Sequence, residues 1–133
     1  MATHKIICDT DVIIDYWDNR KSRQAATKHI LDNVIGLNNV LISAITQIEL
    51  LIGATNKVEL LKIDKNLGRF GIISIDDVTT NVAAGLIKNY NLSHGLALPD
   101  AFIAASSIVI GEKLFTYNLK DYQFTAGLNL FAQ

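Results

Sequence analysis

Four acidic side chains occupy positions where a predicted strand ends or a predicted helix begins, or where the flanking residues are apolar. Asp9 ends the apolar run 5–8, Asp100 opens an otherwise apolar helix, and Asp121 follows the last strong apolar run after a tight loop. Glu49 lies on a helix between apolar neighbours. A carboxylate in apolar surroundings needs hydrogen bonds, a positive partner or a metal ion. These four acids are therefore the candidate site residues.

The chemistry that such acids offer is the binding of a divalent cation. No Lys or Arg lies at helical spacing from Glu49 or Asp100, so converging carboxylates would repel each other unless a cation joined them. Oxygen ligands alone select Mg²⁺ or Mn²⁺. Each acid also has a purely structural interpretation: a strand-end turn or helix cap for Asp9, an exposed helix position for Glu49, a first-turn position for Asp100 and an ordinary loop for Asp121. Their combination in one short chain favours the metal site.

Short apolar runs alternate with segments of helical periodicity along the chain. The runs 5–8, 40–42, 72–75 and 114–116 predict strands, and 128–130 predicts a short fifth strand. Helices are predicted over 12–17, 22–34, 44–51, 58–67, 79–90 and 101–110. This alternation is typical of an α/β domain with a parallel sheet. In such sheets ligands bind beyond the carboxyl ends of the strands, where Asp9 lies.

Residues with known capping preferences predict where several helices begin and end. Ser43 and either Asp76 or Asp77 are suitable N-caps, and Pro99 fits a first helical turn. Gly68 and Gly111 are expected to end helices. The segment 91–98 is expected to be a loop or a short turn.

Composition predicts one globular domain over residues 1–133, because half of the residues are hydrophobic and 19% are charged. The single cysteine, Cys8, excludes an intrachain disulfide and is expected to be a buried core residue. The sequence has no apolar stretch of about 18 residues and no signal peptide pattern, so we expect a cytoplasmic protein that does not span a membrane.

The net charge of −1 neither supports nor excludes a nucleic-acid substrate. Thirteen acids oppose twelve Lys and Arg residues. If four of the acids gather in a cation-binding centre, the rest of the surface is mildly basic, and a bound metal adds positive charge in the cleft.

Four segments, in this order, resemble the PIN-domain family, and in particular the VapC-type toxins of toxin–antitoxin pairs. Residues 7–15 are similar to the family's opening strand and Asp-Thr-Ser-like turn. Residues 43–53 resemble its Thr…Glu-Leu…Gly helix. Residues 98–105 resemble its most specific segment, Asp-Ala-x-Ile-Ala-Ala, and residues 114–122 resemble its closing Thr-x-Asn-x-x-Asp-Phe motif. Together the segments cover nearly the whole chain.

The resemblance implies a three-layer α/β/α domain that hydrolyses RNA internally with Mg²⁺ or Mn²⁺. It implies Asp9, Glu49 and Asp100 as the central acids, with a fourth polar ligand at Asn118 or Asp121. It also implies a cognate antitoxin protein that blocks the site, and a homodimer.

Three positions depart from the family pattern. Many relatives carry Asp where this chain has Asn118, which lowers the negative charge of the site. Asp11 replaces the usual Ser or Asn, and either restores that charge or caps the first helix. Tyr122 replaces the usual Phe, a change expected to be minor.

Two other functions remain open from the sequence. The residues Asp9-Thr10-Asp11 after an apolar strand are similar to the Asp-x-Asp motif of haloacid-dehalogenase-like phosphatases. The chain is short for such an enzyme, and the later lysine and paired acids of that class are not evident. The second alternative is a catalytically inert PIN module that only binds, which Asn118 makes conceivable.

Overall fold

The structure, a computed structural model, describes residues 4–132, and its centre is one parallel sheet. The strands are β1 (Ile6–Cys8), β2 (Val40–Ser43), β3 (Gly71–Ile73) and β4 (Lys113–Phe115), and their order in the sheet is β3-β2-β1-β4. The α-helices are α1 (Thr10–Trp17), α2 (Gln24–His29), α3 (Ala44–Ile52), α4 (Lys57–Leu67), α5 (Asp77–His94) and α6 (Leu98–Ile110).

Alternate residues of the strands contribute to two separate hydrophobic cores, one on each face of the sheet. Ile6 and Cys8 belong to one core and Ile7 to the other, while in β4 Phe115 and Leu114 divide in the same way. Side chains of α1, α3 and α4 fill the first core, and those of α5 and α6 fill the second. Because successive strand residues point to opposite faces, this division confirms the three-layer α/β/α fold.

Several helix boundaries follow the capping residues that the sequence predicts. The Ser43 hydroxyl accepts a hydrogen bond from the backbone N–H of Ile45 at 3.1 Å and begins α3. Asp76, rather than Asp77, caps α5 by accepting from the backbone N–H of Thr79 at 2.8 Å. Pro99 lies in the first turn of α6, where its missing N–H is not needed.

The structure corrects the sequence prediction in three places. The segment 91–98 is not a loop, because α5 continues to His94 and ends at Gly95, whose φ of 70° is in the left-handed region. The helix predicted over 22–34 is α2 followed by a π-helical segment, Ile30–Ile35. The expected fifth strand is a single parallel bridge between Leu114 and Leu130.

The register of the sheet decides which residues meet at its carboxyl edge. Cys8 pairs with Phe115 across β1 and β4, and the next backbone N–H, that of Asp9, donates to the Phe115 carbonyl at 2.9 Å. Asp9 and Thr116 therefore leave the sheet side by side. Cys8 itself is fully buried, as the sequence predicts. Within residues 4–132, no helix has the length and apolar character needed to cross a membrane.

Candidate metal centre

Asp9 is held rigidly at the end of β1, with 5% of its surface exposed. Its Oδ1 accepts from the Thr10 backbone N–H and its Oδ2 from the Thr116 hydroxyl, both at 2.8 Å. Burial and then the charge of Asp11 raise the pKa of Asp9 to about 6, although hydrogen bonds from Thr116, Thr10 and Tyr122 act in the opposite direction. The carboxylate is thus fixed in place and short of positive charge.

Asp100 lies in the first turn of α6, half-buried above the second core. Its Oδ1 accepts from the Tyr122 hydroxyl at 3.1 Å. Burial raises the pKa of Asp100 to about 6, and the charges of Asp9, Asp121 and Glu49 contribute in the same direction. The charges of the three other candidate acids therefore oppose the ionisation of Asp100.

Glu49 projects from α3 and is exposed, although its neighbours in the sequence are apolar. Its neighbour Ile48 is itself 52% exposed, because this face of α3 is turned away from the core. The Glu49 Oε1 accepts from the Thr10 hydroxyl at 2.8 Å. Since that hydroxyl has one hydrogen, the Thr46 hydroxyl, 2.9 Å away, must donate to Thr10. Thr10, the residue that follows Asp9, thus orients Glu49, and its own hydroxyl is oriented by Thr46.

The two candidates for a fourth ligand lie around a short 3-10 turn, Leu119–Asp121, and both are exposed. The backbone N–H of Asn118 donates to the Thr116 hydroxyl at 3.0 Å, which connects this turn to Asp9. Asn118 carries no charge, whereas the charge of Asp121 raises the pKa of Asp100.

Asp11 is a further acid beside the centre and does not cap α1, since Asp9 is the N-cap residue. Its Oδ2 accepts from the Tyr117 backbone N–H at 3.0 Å, while its Oδ1 is buried without a hydrogen-bond partner among residues 4–132. Burial raises the pKa of Asp11. Its charge acts on Asp9, so the acid that replaces the usual Ser or Asn adds to the negative potential of the site.

The segment after β4 is fixed against α1 and α2 through Tyr117. The Tyr117 hydroxyl lies 2.6 Å from the Thr27 hydroxyl, and the guanidinium of Arg23 lies 4.0 Å from the centre of the Tyr117 ring. Arg23 also donates to the buried Asp15 at 2.7 Å. These contacts hold the loop that carries Asn118 in a defined position.

The arrangement fits a hard divalent cation by its donor chemistry. None of Asp9, Glu49, Asp100 and Asp121 takes part in the ion pairs of residues 4–132, which join other acids to Arg20, Arg23 and Lys28. Oxygen atoms that repel each other and lack basic partners suit Mg²⁺ or Mn²⁺. Still, no three Asp, Glu, His or Cys side chains of the described chain are grouped closely enough to form a metal site by themselves. Water would therefore complete the coordination, as is usual for Mg²⁺.

Sequence reasoning assigned no role to the hydroxyl groups of this site. Thr10, Thr46 and Thr116 orient the acids, and all three lie inside the motif segments quoted above. Tyr122, whose replacement of Phe was expected to be minor, donates its hydroxyl proton to Asp100. The available signal was the change from Phe to Tyr itself, because a buried hydroxyl requires a partner.

Comparison with solved structures finds the same fold in several bacterial complexes. A toxin–antitoxin complex from Klebsiella pneumoniae is 26% identical, with a TM-score of 0.73 over 93% of this chain and 95% of that chain. FitAcB from Neisseria gonorrhoeae is also 26% identical, with a TM-score of 0.73 over 96% of each chain. VapBC2 from Rickettsia felis, bound to a promoter DNA fragment, is 21% identical, with a TM-score of 0.74 over 95% of this chain and 96% of that chain. Comparison with curated protein sequences finds no significant match.

The sequence pattern of the PIN domain matches residues 6–125, a range that contains β1, β4 and each of the candidate acids. The match and the α/β/α architecture agree over nearly the whole described chain. The chain belongs to the PIN-domain family.

Proposed function

We propose that this protein is a metal-dependent endoribonuclease and the toxin of a type II toxin–antitoxin pair. The observation that carries the proposal is that three acids, each oriented by a hydroxyl group, lack a basic partner within residues 4–132; they are Asp9, Glu49 and Asp100. The family and the toxin–antitoxin complexes among the similar structures support the same function. Neither supports the dehalogenase-like phosphatase, which we do not propose.

Within this proposal, Asp9 and Asp100 hold the cation directly, while Glu49 and the residues Asn118 and Asp121 assist, in part through bound water. When bound, Mg²⁺ or Mn²⁺ supplies the positive charge that activates water and offsets charge building on phosphorus. Glu49 is exposed and is oriented by Thr10, so it is placed to orient the attacking water or to accept its proton. Lys and Arg side chains outside the centre bind the RNA backbone.

Metal removal tests the proposal. We expect the purified protein to cut a structured RNA with Mn²⁺ or Mg²⁺ and to lose all cutting in EDTA, because the carboxylates alone neither activate water nor offset charge on phosphorus. Gel analysis of end-labelled RNA, with single-stranded DNA of the same sequence as a control, measures this. Binding of Mn²⁺ in a calorimeter without cleavage of any cellular RNA would contradict nuclease function. Failure to bind Mn²⁺ would favour an inert module. If the protein cuts RNA, sequencing of RNA ends after brief induction in cells defines the target.

A groove of about 620 Å³ between α1, α3 and α4 adjoins Glu49 and suits the proposed antitoxin. Ile14, Trp17 and Ile63 line it together with polar residues. Exposed apolar surface of this kind marks an interaction site. An extended apolar segment of the partner in this groove, with a basic side chain reaching the acids, would block substrate access and neutralise the repulsion between the carboxylates.

Replacing Ile14 by arginine tests this groove. Ile14 is 39% exposed, so the change should leave the fold intact but place a charge where apolar contact is required, and weaken neutralisation at least about 10-fold. Growth of cells that express the chain together with a candidate antitoxin, sought as a small protein encoded next to its gene, measures neutralisation. Val78→Arg on α5, in the opposite layer and 58% exposed, is the matched control. Equal neutralisation of both variants would place the partner elsewhere.

A homodimer belongs to the same proposal. Ile52 on α3 and Val58 and Leu61 on α4 are all more than half exposed, and a second copy would remove their apolar surface from water. Sedimentation equilibrium of the purified protein measures the mass directly.

A further inference from the structure

Tyr122 combines a fully packed aromatic ring with a hydroxyl that reaches the acidic centre. The residue is 1% exposed, and its ring belongs to the core formed with α6, the helix that carries Asp100. The hydroxyl donates to the Asp100 Oδ1 at 3.1 Å. It is also close enough to Asp9 to lower the pKa of that carboxyl. One rigid side chain therefore connects the core to the two acids that the proposed mechanism assigns to direct metal binding.

The two acids differ in how they are held. Asp9 accepts hydrogen bonds on both oxygens, from a backbone N–H and from the Thr116 hydroxyl. The Asp100 carboxylate accepts only one hydrogen bond within residues 4–132, and Tyr122 donates it. Without it, the half-buried carboxylate would be free to rotate about its side-chain bonds and to turn away from Asp9, which repels it.

We propose that Tyr122 is a positioning residue, whose hydroxyl holds the Asp100 carboxylate toward Asp9 so that the two acids present a preformed pair of oxygens to the cation. The inference rests on the proposed function, since it concerns the same site. It goes beyond that function because the proposed mechanism gives the Tyr122 hydroxyl no role.

The phenol suits this task in chemistry as well as in position. Tyrosine ionises only at about pH 10, so at neutral pH its hydroxyl is an uncharged donor. A neutral donor satisfies one lone pair of the carboxylate and leaves the others for the cation. A Lys or Arg at the same point would instead compete with the metal for the negative charge.

Tyr122→Phe removes only the hydroxyl oxygen and keeps the packed ring, so the variant should fold. We expect its dissociation constant for Mn²⁺ to rise about 5- to 10-fold in calorimetry, since a disordered carboxylate must be oriented on binding. The turnover number on RNA should fall by a similar factor, while KM for RNA stays unchanged. Far-ultraviolet circular dichroism verifies that both proteins are folded.

Tyr90→Phe is the matched control, because it deletes a tyrosine hydroxyl that accepts from the backbone N–H of Ala126, away from the acids. Mn²⁺ binding should be unchanged in this variant. If wild-type protein binds Mn²⁺ and cuts RNA, but Tyr122→Phe binds the metal equally well or more tightly, the positioning role is wrong and the proposed function stands. If wild-type protein neither binds Mn²⁺ nor cuts RNA, both are wrong.

Discussion

Replacement of Asp100 by asparagine is expected to reduce RNA cleavage at least about 100-fold, a loss of about 2.7 kcal/mol or more of transition-state stabilisation. Asparagine keeps the size of the side chain and its place in the first turn of α6. It removes the negative charge that would bind the cation and replaces one acceptor oxygen by an amide nitrogen, which does not bind a hard cation. The reaction should therefore fail because the cation is held poorly.

The same substitution should make the metal-free protein more stable. Burial and neighbouring acids already oppose ionisation of Asp100, so removing its charge relieves repulsion in the folded state. Because the group is only half-buried, solvent limits the gain to about 1 kcal/mol, which raises Tm by a few degrees. Loss of activity together with a gain in stability is characteristic of an acid retained for function rather than for folding.

The measurements are the initial rate of RNA cleavage with Mn²⁺ and the thermal midpoint in EDTA. Asp64→Asn on the exposed surface of α4 provides the control, since the same chemical change there lies away from the acids. It should leave both quantities unchanged. Undiminished cleavage by Asp100→Asn would remove Asp100 from the proposed site.

The second large effect is a loss of stability of the metal-free protein as the pH rises from 5 to 7.5. The pKa of both Asp9 and Asp100 is about 6 in the folded protein, against an ordinary value of 3.8, chiefly because of burial. At pH 5 the folded state therefore binds more protons than the unfolded state, and protonation stabilises it. As the pH rises through 6, those protons are lost and the free energy of unfolding decreases.

We expect this decrease to be about 2 kcal/mol for the two groups together, after allowing for the solvent exposure of Asp100. Acids whose pKa is lowered, such as Asp32 and Asp76, act below this pH range. Saturating Mn²⁺ should reverse the trend, because metal ligands must be deprotonated and the bound ion stabilises the folded state more as the pH rises.

Urea unfolding at pH 5, 6 and 7.5, with EDTA or with Mn²⁺, measures both trends. The Asp100→Asn variant should show a weaker pH dependence in EDTA, since it lacks one of the carboxyls whose pKa burial raises. Stability in EDTA that rises steadily across this range would show that burial does not raise the pKa of these carboxyls.

Taken alone, the sequence determined the features that depend on near neighbours along the chain. Short apolar runs predicted the four strands, Ser43 and Pro99 marked helix starts, and Gly111 marked the end of α6. These features are local because periodicity and caps act within one or two turns. The positions of the acids at the ends of elements, and the order of the family's motifs, could be read in the same way.

How the site is built could not be predicted in this way, because its contacts join residues far apart in sequence. Thr116 donates to Asp9 across 107 positions, and Tyr122 to Asp100 across 22. The first bond depends on the register of the strands, and the second depends on the packing of a loop against α6. Glu49 proved exposed because its surroundings are set by which face of α3 meets the core, not by its apolar neighbours in sequence. Local sequence can place an acid at the end of an element, but only packing decides which hydroxyl orients it.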